Sequence, residues 1–192
     1  MRSATGWALR RRIAALTATF AIVACGDAPI PVLTGVPDFA LERQDGESFG
    51  SANLRGRPWV ANFIFTTCPS ICPTLTSQMA NLERRTREVN AQFVSFSVDP
   101  ENDRPEVLRA YAASHDANLD RWAFLTGDTD AMRSVIEEGM RMRMGDRAAD
   151  GDILHGGHFV LVDGQNRIRG FYRNDGAELE RLEADLRRLS AE

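Results

Sequence analysis

The sequence predicts an α/β fold: a central mixed sheet, parallel in the middle and antiparallel at one edge, flanked by helices. Two observations lead to this prediction. Apolar runs alternate with amphipathic segments along most of the chain, which is typical of strands joined by helices. The last part of the chain has instead the pattern of two strands joined by a short turn and followed by a helix, which predicts an antiparallel edge.

The first clear strand is predicted at residues 59–65, after short β-like pieces that begin near Phe39. This segment is a nearly continuous apolar run, which is typical of a strand buried on both faces of a sheet. A helix should follow it, because apolar residues recur there at near-helical spacing while charged residues take the other side. The apolar positions are Leu75, Met79, Leu82 and Val89.

The middle of the chain predicts two further strand and helix pairs. Residues 93–98 form the next strand, and Asp99 with Pro100 ends it. Pro105 suits the first turn of a helix that runs to about Ser114. Residues 122–125 have the pattern of a third strand, and residues 128–138 that of a helix capped by an aspartate.

The end of the chain predicts a hairpin and a helix. Residues 158–162 and 168–172 flank the turn at 163–166, and residues 177–189 form an amphipathic helix. Together these elements fit a thioredoxin-like fold. The glycine-rich, charged stretch at residues 143–153 is the segment that we expect to be the most mobile loop.

The amino terminus has the pattern of an export signal. Arginines at 10–12 precede an uncharged stretch at 13–24, shorter than the roughly 20 residues that cross a bilayer comfortably. The residues at 22–25 (IVAC) resemble a bacterial lipobox, in which the cysteine becomes the lipidated first residue of the mature chain. We therefore predict that residues 1–24 are a lipoprotein-type signal peptide and that Cys25 anchors the protein to the outer, periplasmic face of the cytoplasmic membrane. An uncleaved anchor is the alternative, and both tether the protein.

One domain should remain after the signal. We predict a tether at residues 25–36 and a thioredoxin-like domain at residues 37–192, which is long enough to have a core without disulfide bonds. Removal of the signal takes away four arginines and no acid, so the formal net charge goes from −4 to −8. An acidic domain argues against nucleic acid as a partner, and it fits either simple solubility or attraction to cations and basic protein patches.

The cysteine count indicates that the two cysteines of the domain have a chemical role rather than a stabilising one. Of three cysteines, Cys25 is the predicted anchor, which leaves Cys68 and Cys72 to pair with each other. A disulfide that closes so short a loop adds little stability. The pair lies between a buried strand and a helix start, where we expect exposed sulfurs and a favoured thiolate. Redox chemistry and metal binding both need that thiolate, so a redox pair and a metal site both remain open.

A third ligand would favour a metal site, and the chain offers two histidines on the strand expected to face this edge. These are His155 and His158, of which His158 is expected on the other face of the strand. Two thiolates and one imidazole suit Cu(I), and they hold Cu(II) with an added ligand, whereas zinc normally takes four ligands. Methionine sulfur is also a soft ligand, but a spacing of two residues favours packing. The methionines in question are Met140, Met142 and Met144.

Three blocks in this order resemble the Sco/SenC family of copper-binding assembly factors for cytochrome c oxidase. The first block is TCPSICP at 67–73, and the second is SVDP at 97–100, followed by Asp103 and Pro105. The third is His155 ahead of FVLVD at 159–163. The resemblance covers essentially the whole predicted mature domain.

The resemblance implies a thioredoxin-like fold and a copper site. It makes Cys68, Cys72 and His155 the copper ligands, for Cu(I) or Cu(II), and Asp99 a nearby acid that supports them. It implies a copper metallochaperone that helps to assemble the binuclear copper centre of cytochrome c oxidase, with the oxidase subunit that carries this centre as partner. The alternative is a thiol–disulfide oxidoreductase that reduces the cysteines of that subunit, with Cys68 and Cys72 as the catalytic pair.

The chain departs from the family pattern directly after His155. Two glycines stand there in place of the usual serine or threonine, so we expect a more flexible loop and keep His158 as a second candidate ligand. For Asp99 and Asp103 the alternative to a role at the site is local: a strand terminator and a helix-capping group before Pro105.

Overall fold

The computed structural model describes residues 28–68, 71–148 and 152–192. The predicted signal at residues 1–24 and the predicted lipidation site Cys25 lie outside these ranges. Within them, no helix combines the length and the apolar composition that crossing a bilayer requires.

The described residues form ten strands, eight of which belong to one mixed sheet and two to a separate hairpin. The strands are β1 (Thr34–Gly35), β2 (Ala40–Arg43), β3 (Ser48–Gly50), β4 (Trp59–Ile64), β5 (Gln92–Ser97), β6 (Trp122–Thr126), β7 (Met144–Arg147), β8 (Ile153–His155), β9 (His158–Val162) and β10 (Arg167–Arg173).

The main sheet has the order β1-β10-β9-β4-β5-β6-β2-β3. Its centre is parallel, because β4 pairs in parallel with β5 and β5 in parallel with β6. On one side β9 runs antiparallel to β4, and β10 and β1 continue antiparallel beyond it. On the other side β2 pairs antiparallel with β6 and with β3. This mixed sheet confirms the predicted fold class and the antiparallel edge formed by β9 and β10; the second antiparallel edge, formed by β2 and β3, was not predicted.

Helices follow the central strands and pack on the sheet, with α2 on β4, α3 on β6 and α5 on β10. This arrangement of a central mixed sheet and flanking helices is the predicted thioredoxin-like fold. The helices in the described ranges are α1 (Ser51–Leu54), α2 (Cys72–Arg85), α3 (Pro105–Ser114), α4 (Thr129–Arg133), which continues into a π-helical turn (Ser134–Gly139), and α5 (Gly176–Ser190).

The three parallel strands are buried along their whole length, as the apolar run at 59–65 predicts. Three of their side chains bond to one another across the strands. Ser95 donates to Asn62 Oδ1 at 2.6 Å, and the indole N–H of Trp122 donates to Ser95 Oγ at 2.9 Å. Buried polar groups that are paired in this way hold a unique strand register. The carboxyl ends of β4 and β5 are therefore fixed points on which a site can be built.

The helix predictions hold closely, except that α2 ends at Arg85, before the predicted position Val89, and that one helix changes its geometry. Asp128 caps α4 as predicted, because its carboxylate accepts the backbone N–H groups of Asp130 and Ala131. The predicted helix at 128–138 begins as an α-helix and ends in the π-helical turn. Helix α3 has the predicted bounds, with Pro105 in its first turn.

The hairpin of β7 and β8 was missed, since residues 143–153 were expected to be a loop. The two strands pair antiparallel, with Met144 opposite His155 and Arg147 opposite Ile153. Both strands are short, and β7 (MGDR) contains a glycine and two charged residues, so the strand conformation comes from tertiary contacts rather than from local pattern.

Residues 28–36 belong to the folded unit, although a tether was predicted for 25–36. Ile30 and Val36 are buried, and β1 pairs with β10. The buried guanidinium of Arg169 donates to the carbonyl oxygens of Ile30 at 2.6 Å and Pro31 at 3.1 Å. This contact could not be predicted from the sequence, because Arg169, which binds the segment, lies more than a hundred residues further along the chain.

Replacing Arg169 with methionine is expected to lower the free energy of unfolding by about 3 kcal/mol, because it leaves the buried Asp163 and two carbonyl groups short of a donor. Urea unfolding measures this loss. The matched control is Arg173→Met on the same strand, where the arginine is largely exposed and its ion pair should contribute less than about 1 kcal/mol. Equal losses in the two variants would show that Arg169 does not anchor the segment.

Candidate metal centre

The two cysteines lie where β4 leads into α2. Cys68 follows the strand, and Cys72 is the first residue of the helix, with Pro73 in its first turn. No side chain caps this helix start; instead the backbone N–H of Cys72 points at Cys68 Sγ at 3.4 Å. The sulfur thus takes the place of a capping oxygen, which explains how a helix begins here without serine, threonine or aspartate at its cap.

The cysteines are buried, and the expectation of exposed sulfurs was wrong. Cys72 is 0% exposed and Cys68 is 8% exposed. Burial, together with a hydrogen bond between the two cysteine side chains, raises the pKa of the Cys72 thiol above its ordinary value. The expected preference for the thiolate at a helix start is therefore outweighed at Cys72 by loss of solvent, which penalises the charged form.

His155 comes to the same place from the other end of the chain. It ends β8, and its Nε2 lies 3.3 Å from Cys72 Sγ. The ring of Phe65 contacts the imidazole edge to face, with centroids 5.8 Å apart. Burial lowers the pKa of His155, so the imidazole stays neutral, which is the form that binds a metal ion.

The donor atoms of Cys68, Cys72 and His155 all lie within 4.8 Å of one another. In the described part of the chain this is the one group of three or more cysteine, histidine, aspartate or glutamate side chains close enough to share a metal ion. Both cysteines are present as thiols. Two sulfurs and one imidazole nitrogen form a soft donor set of three, which fits Cu(I) by its chemistry.

His158 lies apart from this group. It begins β9, opposite Arg173 of β10, whereas His155 ends β8, so the expectation that both histidines lie on one strand was wrong. The His158 side chain is half-buried. Among the described residues its Nδ1 has no hydrogen-bond partner. Met140 and Met144 are buried in the core, as the packing interpretation predicts, although only Met144 belongs to a strand.

The two glycines after His155 have a packing role. A Cβ atom added at Gly156 would lie 1.9 Å from the terminal methyl group of Met142, and one added at Gly157 would lie 3.1 Å from Ile71 Cδ1. The departure from the family pattern therefore lets the loop that follows the histidine pack closely onto Met142 and onto Ile71, the residue just before Cys72. Met142 is thus a neighbour of the site through packing.

Asp103 supports the loop that carries Cys68. Its fully buried carboxylate accepts the backbone N–H of Thr66 at 3.2 Å and the hydroxyl groups of Thr66 and Ser97, each at 2.6 Å. Burial is the main cause that raises the pKa of this carboxyl group. The N-cap residue of α3 is Arg104, so Asp103 is not the helix cap considered as an alternative. It ties the end of β4 to the end of β5.

Asp99 follows β5 and is also buried. Its carboxylate accepts from Asn102 Nδ2 at 3.0 Å and forms an ion pair with Arg147 of β7. The guanidinium of Arg147 in turn lies over the ring of Phe65, 5.6 Å from its centroid. Sequence reasoning singled out Asp99 and missed Arg147 and Phe65. Phe65 looked like one more apolar residue of a strand, and no local pattern distinguishes Arg147.

Comparison with known proteins agrees with this geometry. The model of the SCO1/SenC family matches residues 31–191. The structure of a SCO1/SenC family lipoprotein from Bacillus anthracis is similar, with 33% identity, a TM-score of 0.77, and coverage of 83% of this chain and 96% of that chain. BsSco, a member of the Sco family of cytochrome c oxidase assembly proteins with a disulfide switch, shares 29% identity over 84% of this chain and 96% of its own, with a TM-score of 0.74.

A copper-bound relative is also similar. ScoI of Bradyrhizobium japonicum, whose structure has copper bound, shares 26% identity over 80% of this chain and 98% of its own, with a TM-score of 0.65. The family model spans the sheet, both cysteines and the histidine. The chain belongs to the SCO1/SenC family.

Proposed function

We propose that this protein is a copper metallochaperone that holds copper between Cys68, Cys72 and His155 and helps to assemble the binuclear copper centre of cytochrome c oxidase. One observation carries the proposal: the three donor atoms lie within 4.8 Å of one another. The donor set suits Cu(I), and an added ligand lets it hold Cu(II). The copper-bound relative and the oxidase assembly relative support the metal and the partner, respectively.

Copper is the cargo in this proposal, and it leaves by ligand exchange. The partner is the oxidase subunit that carries the binuclear copper site. A metal ion with three ligands has room for an entering thiolate, so a cysteine of the partner can bind before a ligand of this chain departs. Cys68 lies in the loop after β4 and Cys72 begins α2, both next to the central sheet, whereas His155 belongs to a two-stranded hairpin.

The test of the proposal is copper loading followed by transfer. The purified chain, reduced and given one equivalent of Cu(II), should develop thiolate-to-copper charge-transfer absorption. Addition of the copper-site domain of the oxidase, with its cysteines reduced, should remove this absorption as copper moves to the partner. A stable copper complex that never gives up its metal to that domain would contradict the chaperone role.

The same proposal places the protein on the outer, periplasmic face of the cytoplasmic membrane, anchored through a lipid on Cys25. The lipobox pattern supports this location, as does the Bacillus anthracis relative, which is a lipoprotein. In cells given a labelled fatty acid, Cys25→Ser is expected to abolish incorporation of the label into this protein, because the thiol that would carry the lipid is gone. Immunoprecipitation followed by detection of the label measures this, and label that persists in the variant would contradict lipidation at Cys25.

A second candidate function is that of a thiol–disulfide oxidoreductase. Cys68 and Cys72 are close enough to exchange disulfides after a small shift, and the relative BsSco has a disulfide switch. In the reaction, one thiolate attacks a sulfur of the partner's disulfide and the other partner sulfur leaves as a thiolate. The second cysteine then resolves the mixed disulfide. Two electrons pass to the partner, and this chain ends as the disulfide.

The two functions are separable by their need for His155. Reduction of the partner's copper-site cysteines requires only the dithiol, whereas copper delivery requires all three donors. Both can serve one assembly step, since a copper site cannot be filled while its cysteines are oxidised. Incubation of the reduced chain with the oxidised partner domain, followed by counting of the thiols on each protein, tests the redox role. No gain of partner thiols would exclude it.

A further inference from the structure

We propose that the ion pair between Asp99 and Arg147 is a latch that holds the β7–β8 hairpin, and with it His155, against the cysteines. Asp99 and Arg147 are positioning residues that act through the hairpin and do not contact the metal. The inference rests on the proposed function, because it concerns the same copper site, but its first test needs no copper.

The hairpin depends on contacts with the rest of the fold. Strands β7 and β8 form a sheet of their own, separate from the eight-stranded sheet. An isolated two-stranded hairpin is at best marginally stable in water, so its position has to be set by other elements. His155 is the last residue of β8, and its placement therefore depends on what holds this hairpin.

One end of β7 is attached to the helix before it. Arg133 of α4 donates to the carbonyl oxygen of Met144 at 2.6 Å. The backbone N–H of Met144 donates to Glu137 Oε1 of the π-helical turn at 3.2 Å. Arg133 and Glu137 are near Met144 in the sequence, so this end of the hairpin is held by local contacts.

The other end of β7 is attached across the fold by Arg147. Its guanidinium pairs with the Asp99 carboxylate at the end of β5 and lies over the ring of Phe65 at the end of β4. The same ring contacts His155 edge to face. Arg147 thus connects the hairpin to the carboxyl ends of two core strands, right beside the imidazole.

Asp99 is a rigid partner for this contact. Its side chain is 7% exposed, its backbone N–H donates to Ser97 Oγ at 3.0 Å, and Asn102 donates to both carboxylate oxygens. A carboxylate held in this way keeps its negative charge in one position, facing the guanidinium of Arg147. Closing the latch sets the imidazole near the sulfurs before metal arrives, so less ordering remains to be done on binding.

The first test measures access to the buried thiols in the reduced, copper-free full chain. Alkylation of Cys72 by iodoacetamide, followed by peptide mass spectrometry, should be about tenfold faster in Asp99→Asn and in Arg147→Met than in the unaltered chain. The double variant should be no faster than either single variant, because both remove the same contact. Arg147→Lys keeps the positive charge and should retain most of the protection.

Two control variants remove charges from the same region without touching the latch. Glu101→Gln alters the exposed turn after Asp99, and Arg143→Met removes an exposed arginine just before β7. Both are expected to leave the alkylation rate unchanged. The latch is overturned if the single variants match these controls, or if the effects of the two single variants multiply in the double variant.

The second test uses copper. Each latch variant should still bind one copper with thiolate-to-copper absorption, but with about tenfold lower affinity, as is typical when a group that orients a ligand is lost. Thermal unfolding of each variant shows that the fold persists. If the unaltered chain bound no copper, the proposed function would fail, while the alkylation rates would still decide whether the latch exists.

Discussion

Replacing Cys72 with alanine is expected to end both copper binding and dithiol redox chemistry. The change removes one of the two soft donors and leaves a pair of ligands, Cys68 and His155. The affinity for copper should fall by more than the roughly 100-fold that loss of a group supporting a ligand costs. Competition against a chelator of known affinity measures the fall, and the thiolate-to-copper absorption should be strongly reduced.

A matched control for this variant lies one turn further along α2. Thr76 is fully buried, and its hydroxyl hydrogen-bonds to that of Tyr111 at 2.8 Å. Thr76→Val should cost about 1 kcal/mol of unfolding free energy and leave copper binding intact, because it removes a buried hydrogen bond but no metal donor. Unchanged copper affinity in Cys72→Ala would mean that copper binds elsewhere on the chain.

Replacing His155 with alanine is expected to weaken copper binding by at least about 100-fold, the upper cost of losing a group that only supports a ligand, while the dithiol stays competent for disulfide exchange. The imidazole Nε2 lies 3.3 Å from Cys72 Sγ, so its loss takes one donor from the site without touching the sulfur pair. Copper affinity and the number of partner disulfides reduced, measured on the same preparation, separate the carrier function from the reductase function.

His158→Ala is the control for this experiment, since it removes a half-buried imidazole three residues away, outside the group of donors. Its copper affinity is expected to stay within a fewfold of that of the unaltered chain. The opposite pattern, with copper binding impaired in His158→Ala and unaffected in His155→Ala, would show that His158 is the ligand and that the assignment to His155 is wrong.

The sequence predicts the architecture well because the amino-acid composition of the central strands shows that they are buried. The segment at 59–65 is apolar throughout, and the structure buries all of β4. Proline at 105 and aspartate at 128 mark helix starts through local backbone chemistry, which needs no knowledge of the fold. The mixed sheet then follows from the order of these elements.

The three residues that the structure brings together could be predicted from the sequence, but their burial and their neighbouring residues could not. The pairing of Cys72 with His155 spans 83 positions, and chemistry alone left redox and metal roles open until the resemblance to a family joined the three blocks. The burial of the sulfurs is set by elements far along the chain, such as the β8 segment that carries His155. A rule based on the helix start therefore gave the wrong exposure.

Long-range contacts of single charged residues account for what was missed. Arg147 meets Asp99 48 positions away, and Arg169 holds the carbonyl groups of Ile30 and Pro31 from the opposite end of the chain. Neither arginine belongs to a motif, and both lie among many other arginines. Periodicity reports which face of an element is buried, but it does not report which ion pairs form.

The most direct test of the central claim, that Cys68, Cys72 and His155 together hold copper, is X-ray absorption at the copper edge of the reduced chain loaded with one equivalent of Cu(I). The account predicts two sulfur ligands and one imidazole nitrogen per copper, and a loss of the imidazole signal in His155→Ala. A copper ion with fewer than two sulfur ligands, or with an imidazole signal that persists in His155→Ala, would contradict it.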